Sequence, residues 1–416
     1  MELLRRNLTD RVLEALSDTP VVLIHGARQT GKSTLVQEIS RTAYPARYVT
    51  LDNATALEAA RRDPEGFLAG FGRPVILDEV QRAPALLVAI KSAVDRKRSP
   101  GQFLLTGSAN VLLLPKLSEA LAGRMEVLTL WPFSQGELEG QREGFVDALF
   151  EPDAPPARPS GDLDRRALIH RILQGGYPES LHRTTEARRS AWFDSYVSTI
   201  VHRELRDLAN IDHLTEIPRL LRLLASRAGG QMNYAELSSA IALPQTTVKR
   251  YLSLLEMLYL SCPVPAWASN VGRRLIKRPK SYLNDTGLVA HLTGTDPYQI
   301  EDDPSRLGPL LENFVVMELL KQSAWSRTRP RLLHFRTHNG IEVDAVLESP
   351  SGDLVGIEVK AASSLREADV RGLEHLKALV GRHFRRGVVL YTGTEDLPLG
   401  DRLQALPVDS LWRARD

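Results

Sequence analysis

The stretch Leu23-Ile24-His25-Gly26-Ala27-Arg28-Gln29-Thr30-Gly31-Lys32-Ser33-Thr34 restricts the fold more than any other part of the chain. An apolar run enters G-x-x-x-x-G-K-S and leaves as the helical pattern Thr34-Leu35-Val36-Gln37-Glu38-Ile39. Gly26 and Gly31 allow a tight turn whose backbone N–H groups converge on an anion. Lys32 brings a positive charge to the β- and γ-phosphates, and the Ser33 hydroxyl is an oxygen ligand for Mg²⁺. The positive end of the following helix dipole faces the same point. Gly26, Ala27, Arg28, Gln29, Thr30, Gly31, Lys32, Ser33 and Thr34 therefore form the candidate nucleotide cradle.

The segments around this loop alternate between buried strands and helical periods. Arg47–Asp52, Arg73–Glu79, Gln102–Ser108 and Met125–Leu130 read as strands, with helices between them that include Leu112–Ala122. A further helix is expected over residues 9–17, capped by Thr9. Such alternation predicts parallel β-α units in a doubly wound sheet with helices on both faces. Asp78 and Glu79 end an apolar strand at the edge where such sheets bind ligands. Asp78 is placed to hold Mg²⁺ and Glu79 to orient and deprotonate the attacking water. The next strand ends in Thr106-Gly107-Ser108, and either hydroxyl suits a γ-phosphate sensor. Arg124 precedes the fifth strand, at a rim where it can reach a neighbouring subunit's γ-phosphate as an arginine finger.

Gly26 to Thr34, Asp78-Glu79-Val80-Gln81, Leu105-Thr106-Gly107-Ser108 and Leu121-Ala122-Gly123-Arg124 with Leu130-Trp131-Pro132-Phe133-Ser134 resemble the AAA+-type ATPases of bacteria and archaea that carry a C-terminal domain of unknown function. The resemblance covers nearly the whole chain. It implies ATP with Mg²⁺ as cofactors, ATP hydrolysis, an arginine acting in trans and a homo-oligomer.

Length makes several domains necessary, because 416 residues exceed one core. The expected division is an ATPase domain over 1–150, a Pro-rich linker and helical lid over 151–213, a winged-helix-like domain over 214–304 and a nuclease-like α/β domain over 305–416. Strand signals return only after Arg329. A formal net charge of +2 requires any basic surface to be local. Cys262 is the sole cysteine, which excludes an intrachain disulfide and fits a reducing cytoplasm. The charged start Met1-Glu2-Leu3-Leu4-Arg5-Arg6 does not read as a signal peptide, and no apolar run is long enough for a membrane span.

Within the third division, Tyr234–Ile241 reads as a short helix, Ala242–Gln245 as a turn and Thr246–Leu258 as a second helix. That helix buries Val248, Tyr251, Leu252, Leu255 and Leu258 and turns Gln245, Thr246, Thr247, Lys249 and Arg250 to solvent. Polar and basic groups on a first turn are what base edges and phosphates require. Arg273, Arg274, Lys277, Arg278 and Lys280 form a basic cluster able to follow a DNA backbone. Asn284-Asp285-Thr286-Gly287-Leu288 reads as an ordered turn without assigned chemistry.

The last division alternates polar and apolar residues through Ile341-Glu342-Val343-Asp344-Ala345-Val346-Leu347, turns at Ser349–Asp353 and returns through Leu354–Lys360. The alternation puts Glu342 and Asp344 on one face, and Glu358 and Lys360 on one face of the return strand. Asp344, Glu358 and Lys360 resemble the D…E-x-K signature of the PD-(D/E)xK nuclease superfamily, with Glu312 as the further acid on a preceding helix. The resemblance implies Asp344 and Glu358 as metal ligands and Lys360 as the group that orients water, in metal-dependent phosphodiester hydrolysis. The same fold also serves binding without cleavage. The chain thus reads as an Mg²⁺-dependent ATPase coupled to DNA binding and DNA cleavage, or as an ATP-dependent switch whose C-terminal half binds DNA or a protein and does not cut.

Overall fold

The computed structural model describes residues 3–108, 121–151, 163–201, 205, 214–270, 272, 274 and 277–414. Two compact units emerge, one of Met1–Pro132 with Met257–Leu260, the other of Phe133–Glu256 with Ser261–Asp416.

The first unit is built on five strands: β1 (Val21–His25), β2 (Arg47–Thr50), β3 (Val75–Asp78), β4 (Phe103–Gly107) and β5 (Met125–Thr129). They lie in the order β2-β3-β4-β1-β5 and are parallel throughout. β1, β3 and β4 are buried at every position, so their continuous apolar runs match a sheet covered on both faces. Val21, Leu23, Leu77, Phe103 and Leu105 anchor one core layer with Leu86 and Ile90 of the helix Ala85–Arg96. The expected doubly wound sheet is present. Of the expected helix Leu112–Ala122, only Leu121 and Ala122 lie among the described residues, in a turn.

The first helix, Leu8–Asp18, departs from the expected cap. Asn7 occupies the cap position but its side chain does not cap the helix, and the Thr9 hydroxyl donates to the Arg6 carbonyl at 2.7 Å. Thr9 already lies inside the helix, where its hydroxyl meets a carbonyl of the preceding turn rather than a free N–H.

In the second unit the helices Ile217–Ala225, Tyr234–Ile241 and Gln245–Met257 lead to the antiparallel pair β6 (Ser261–Val264) and β7 (Lys280–Leu283). These strands correct the expectation that none precedes Arg329. Each has four residues, too few to display a period of two, and a partner far along the chain supplies the ladder. The C-terminal sheet comprises β8 (Arg331–Arg336), β9 (Glu342–Glu348), β10 (Leu354–Lys360), β11 (Phe384–Tyr391), β12 (Leu397–Gly400) and β13 (Leu403–Pro407), in the order β12-β13-β11-β10-β9-β8. The helix Arg371–Val380 buries Leu373 and Leu376 in the core beneath it. The Pro-rich segment 152–162 lies outside the described residues.

Asn284-Asp285-Thr286-Gly287 acquires an architectural explanation. Asp285 caps the helix Thr286–Thr293 by accepting from Leu288 N, and its second oxygen accepts from Gly176 N at 2.7 Å. Asn284 donates to Tyr177 Oη at 2.7 Å, and a Cβ on Gly287 would meet the Gln174 carbonyl at 2.7 Å. Asn284, Asp285 and Gly287 therefore pin the Gly175-Gly176-Tyr177 break between helices. Among the described residues no helix is long and apolar enough to cross a membrane.

Candidate functional site

Local backbone geometry explains the glycines of the cradle. Gly26 has φ +149°, and a Cβ there would lie 2.1 Å from the Leu130 carbonyl oxygen, so no side chain fits. Gly31, at φ +94°, is the left-handed residue before the helix Lys32–Thr42. Lys32 is buried, and its Nζ donates to the carbonyls of Gly26 at 3.0 Å and Ala27 at 2.8 Å. The ammonium is thus held within the loop by two of its own carbonyls.

At the C-terminal edge of the sheet, hydroxyls converge on Asp78. Ser33 Oγ lies 2.9 and 3.0 Å from its two carboxylate oxygens, Tyr48 Oη donates to Oδ2 at 2.8 Å, and Thr106 Oγ1 donates to Oδ1 at 2.5 Å. Burial and Asp78 push the Tyr48 hydroxyl up to about 12, so it stays a donor. Thr106 also accepts the Glu79 backbone N–H at 3.0 Å. It touches both acidic residues, whereas Ser108 is linked to Glu79 through the Gln81 amide, which donates to both side chains. Glu79 itself has φ +60°, a left-handed conformation that costs a non-glycine residue on the order of 1 kcal/mol or more. Lys32, Ser33, Asp78, Glu79 and Thr106 thus gather at one edge, with the all-oxygen Ser33–Asp78 pair suited to a hard cation.

Arg124 lies elsewhere. Its carbonyl accepts from Val21 N at the start of β1, so it occupies the sheet edge opposite the loop that follows His25. Its guanidinium holds Asp95 through two bonds of 2.6 and 3.0 Å and draws the Asp95 carboxyl below its ordinary value. Among the described residues the side-chain bonds of Arg124 go to Asp95 and Ala122, and none goes to its own cradle.

Three residues in the first unit were invisible to pattern reading. Tyr48 follows a strand signal but carries no motif. Arg6 is buried and donates to the Thr30 carbonyl at 2.7 Å and the Trp131 carbonyl at 2.6 Å, bracing the loop from below. Tyr259 meets His25 just before the cradle, and burial together with Lys32 pushes that imidazole down to about 3.

In the second unit, β9 and β10 pair antiparallel with Ile357 opposite Ala345, which brings Asp344, Glu358 and Lys360 together as the alternation requires. Glu312 joins them from the helix Leu307–Ser323. Lys360 donates to Glu358 Oε1 at 2.8 Å, and Asp344 Oδ2 accepts the Val359 N–H at 3.0 Å. At the centre is Lys280, which the sequence placed on a DNA-facing surface. Its Nζ lies 2.8 Å from Glu312 Oε1, 3.0 Å from Asp344 Oδ1 and 2.5 Å from Glu342 Oε1. Burial and the Asp344 charge raise Glu312 to about 7 and Glu358 to about 8. Burial opposes the Lys280 charge, yet the three carboxylates outweigh it and hold its pKa above the ordinary lysine value.

Of the remaining basic cluster, Arg274 is also drawn into an ion pair. Arg274 is bidentate to Glu348 at 2.7 and 2.8 Å, and Lys277 donates to the Arg336 carbonyl at 2.8 Å. Arg278 is exposed, and Arg273 lies outside the described residues. On the helix Gln245–Met257 Val248, Tyr251, Leu252 and Leu255 are buried and Gln245, Thr246, Lys249 and Arg250 are exposed as expected, whereas Thr247 is half-buried rather than turned to solvent.

Three family models match successive parts of the chain. Residues 18–139 match the family model described as an AAA domain, 165–299 one described as domain of unknown function DUF8612, and 307–411 one described as domain of unknown function DUF4143. Uncharacterized proteins of Mycobacterium tuberculosis and Mycobacterium bovis are each 31% identical over 408 residues, covering 98% of this chain and 84% of the relative. Among solved structures, AMPPCP-bound DnaA from Aquifex aeolicus aligns over 60% of this chain and 86% of its own at 15% identity, with a TM-score of 0.29. Drosophila ORC bound to DNA aligns over 69% and 84% at 12% identity, with a TM-score of 0.24. Both scores fall below that of a shared overall fold.

Proposed function

This chain belongs to the family of the two mycobacterial proteins, with an AAA-type ATPase domain followed by a DUF4143 domain, and from that premise we propose Mg²⁺-dependent ATP hydrolysis coupled to DNA binding. The observation that carries the reading is the cluster of Ser33, Asp78, Glu79 and Thr106 at one sheet edge beside Lys32. Lys32 leaves the Gly26 and Ala27 carbonyls for the β- and γ-phosphates. Ser33 and Asp78 are the residues that would hold Mg²⁺, which neutralises phosphate charge when bound. Glu79 orients the attacking water and takes its proton, and Thr106 fixes the backbone of Glu79. Arg124, remote from its own cradle, serves the cradle of a neighbouring copy in a homo-oligomer.

For DNA binding, support comes from the exposed first turn of Gln245–Met257, where Gln245, Thr246, Lys249 and Arg250 stand on a helix whose other face is core. The C-terminal module enters as a binding element and not as a nuclease, because Glu312, Glu342 and Asp344 are already bonded to the buried Lys280 ammonium. ATP turnover with and without duplex DNA tests the whole reading. Turnover that Glu79→Gln abolishes and DNA accelerates is expected; turnover that survives Glu79→Gln ends the ATPase assignment, and DNA that neither binds nor alters the rate ends the coupling.

A further inference from the structure

An ammonium has three N–H donors. Lys280 directs its own toward three carboxylates on two elements: Glu312 of the helix Leu307–Ser323, and Glu342 and Asp344 of β9. Its side chain is 3% exposed, so this cation is enclosed. The oxygens stand 2.5 to 3.0 Å from Nζ, the spacing of charge-assisted hydrogen bonds, whereas Mg²⁺ demands about 2.0–2.1 Å in a near-octahedral shell.

Other carboxylate oxygens at the centre are engaged as well. Asp344 gives Oδ2 to the Val359 N–H, and Glu358 gives Oε1 to Lys360. Glu358 Oε2 is buried without a hydrogen-bond partner. Among the described residues no three His, Cys, Asp or Glu side chains are disposed to hold one metal ion. A divalent cation placed between Glu312 and Asp344 would also lie beside the buried ammonium and be repelled by it.

The lysine comes from outside the sheet. Lys280 opens β7, which pairs with β6, and it lies 64 residues before Asp344. The D…E-x-K pattern therefore gives no hint of it.

We propose that Lys280 is the resident cation of this centre, held by Glu312, Glu342 and Asp344 beside the Asp344 and Glu358 pair that a divalent metal would need. The centre thereby works as an electrostatic clamp that fastens β7 to the helix Leu307–Ser323 and to β9, and the native chain does not load Mg²⁺ or Mn²⁺ there. This deepens the reading of the C-terminal module as non-cleaving and rests on it.

The test is Mn²⁺ uptake by the full-length protein without nucleotide, followed through the electron paramagnetic resonance of free Mn²⁺. Wild type is expected to bind no more Mn²⁺ than Asp344→Asn. Lys280→Met, which keeps the stem and removes the charge, is expected to gain one site per chain at least tenfold tighter than anything in wild type. That gain should vanish in Lys280→Met with Asp344→Asn. Mn²⁺ binding by wild type that Asp344→Asn removes overturns the proposal, whether or not Lys280→Met folds. So does a folded Lys280→Met that gains no site. ATP turnover measured on the same samples reports the first unit separately, and wild-type DNA cleavage lost on Lys360→Ala would end the non-cleaving reading along with it.

Discussion

The Tyr259 hydroxyl lies 2.5 Å from Nδ1 of His25, the residue immediately before Gly26. The His25 ring is fixed on its other side by Thr129 Oγ1 at 2.8 Å from Nε2, and Trp131 packs edge-on against Tyr259. In chain order Tyr259 falls just after the helix Gln245–Met257 and just before β6. A tyrosine from this late segment therefore completes the wall behind the phosphate cradle.

Tyr259→Phe removes that hydroxyl and leaves a buried imidazole nitrogen without its partner, a loss of about 1–3 kcal/mol. The expected result is a lower melting temperature and severalfold weaker ATP binding, with the effect of DNA on turnover reduced. Titration with a fluorescent ATP analogue and a thermal melt check both.

Glu79→Gln should retain ATP binding and lose turnover by about 10²–10⁴-fold, the usual contribution of a positioned general base. Lys32→Ala should lose binding and turnover together. Thr106→Val should fall between them, since it frees the Glu79 N–H and removes one hydroxyl from Asp78 while leaving the carboxylates in place. Steady-state phosphate release and ATP titration separate the three outcomes.

Arg124→Ala leaves each subunit's own cradle intact, because the residue stands at the opposite sheet edge. Turnover should still fall by about 10³-fold or more if the arginine acts on a neighbour. Mixing Arg124→Ala with Glu79→Gln subunits should restore part of the activity, as some interfaces then combine an intact Glu79 with an intact Arg124. Strictly additive activity in the mixture would make the Asp95 ion pair the whole role of Arg124.

DNA affinity should fall steeply with salt, with a log–log slope near −0.9 per phosphate contact. Lys249→Ala and Arg250→Ala should each reduce that slope by about one unit. Lys280→Met should leave it unchanged, since the Lys280 ammonium is buried among carboxylates.

Glu358 gives a pH dependence with a defined sign. Its folded pKa of about 8 exceeds the ordinary 4.5, through burial and the Asp344 charge. Between those values the folded chain keeps a proton that the unfolded chain releases, so stability falls as pH rises through the window. Glu358→Gln carries no titrating proton, and its melting temperature should drop less between pH 6 and pH 9 than that of wild type.

Local pattern reached far in the first unit. The strand order of motifs, the two glycines and the Asp78-Glu79 pair follow from short-range rules, because a phosphate loop needs its residues at consecutive positions. The helix Gln245–Met257 shows both faces in its periodicity, and the β9–β10 alternation puts Asp344 beside Glu358. Thr106 and Ser108 were indistinguishable in sequence, since only packing decides which hydroxyl meets Asp78.

What sequence could not convey is where charges end up once distant segments meet. Arg274 and Lys280 belong to one basic run, yet the first is held by Glu348 and the second is enclosed by Glu312, Glu342 and Asp344. A lysine read along the chain is a free cation; in the fold its partners are set by which carboxylates surround it after burial, where an unpaired charge is too costly to keep. The sequence by itself determined the nucleotide cradle and the elements that carry it. Only the tertiary structure decided that Tyr259 backs the cradle, that Arg124 faces away from it, and that the C-terminal carboxylates hold a lysine.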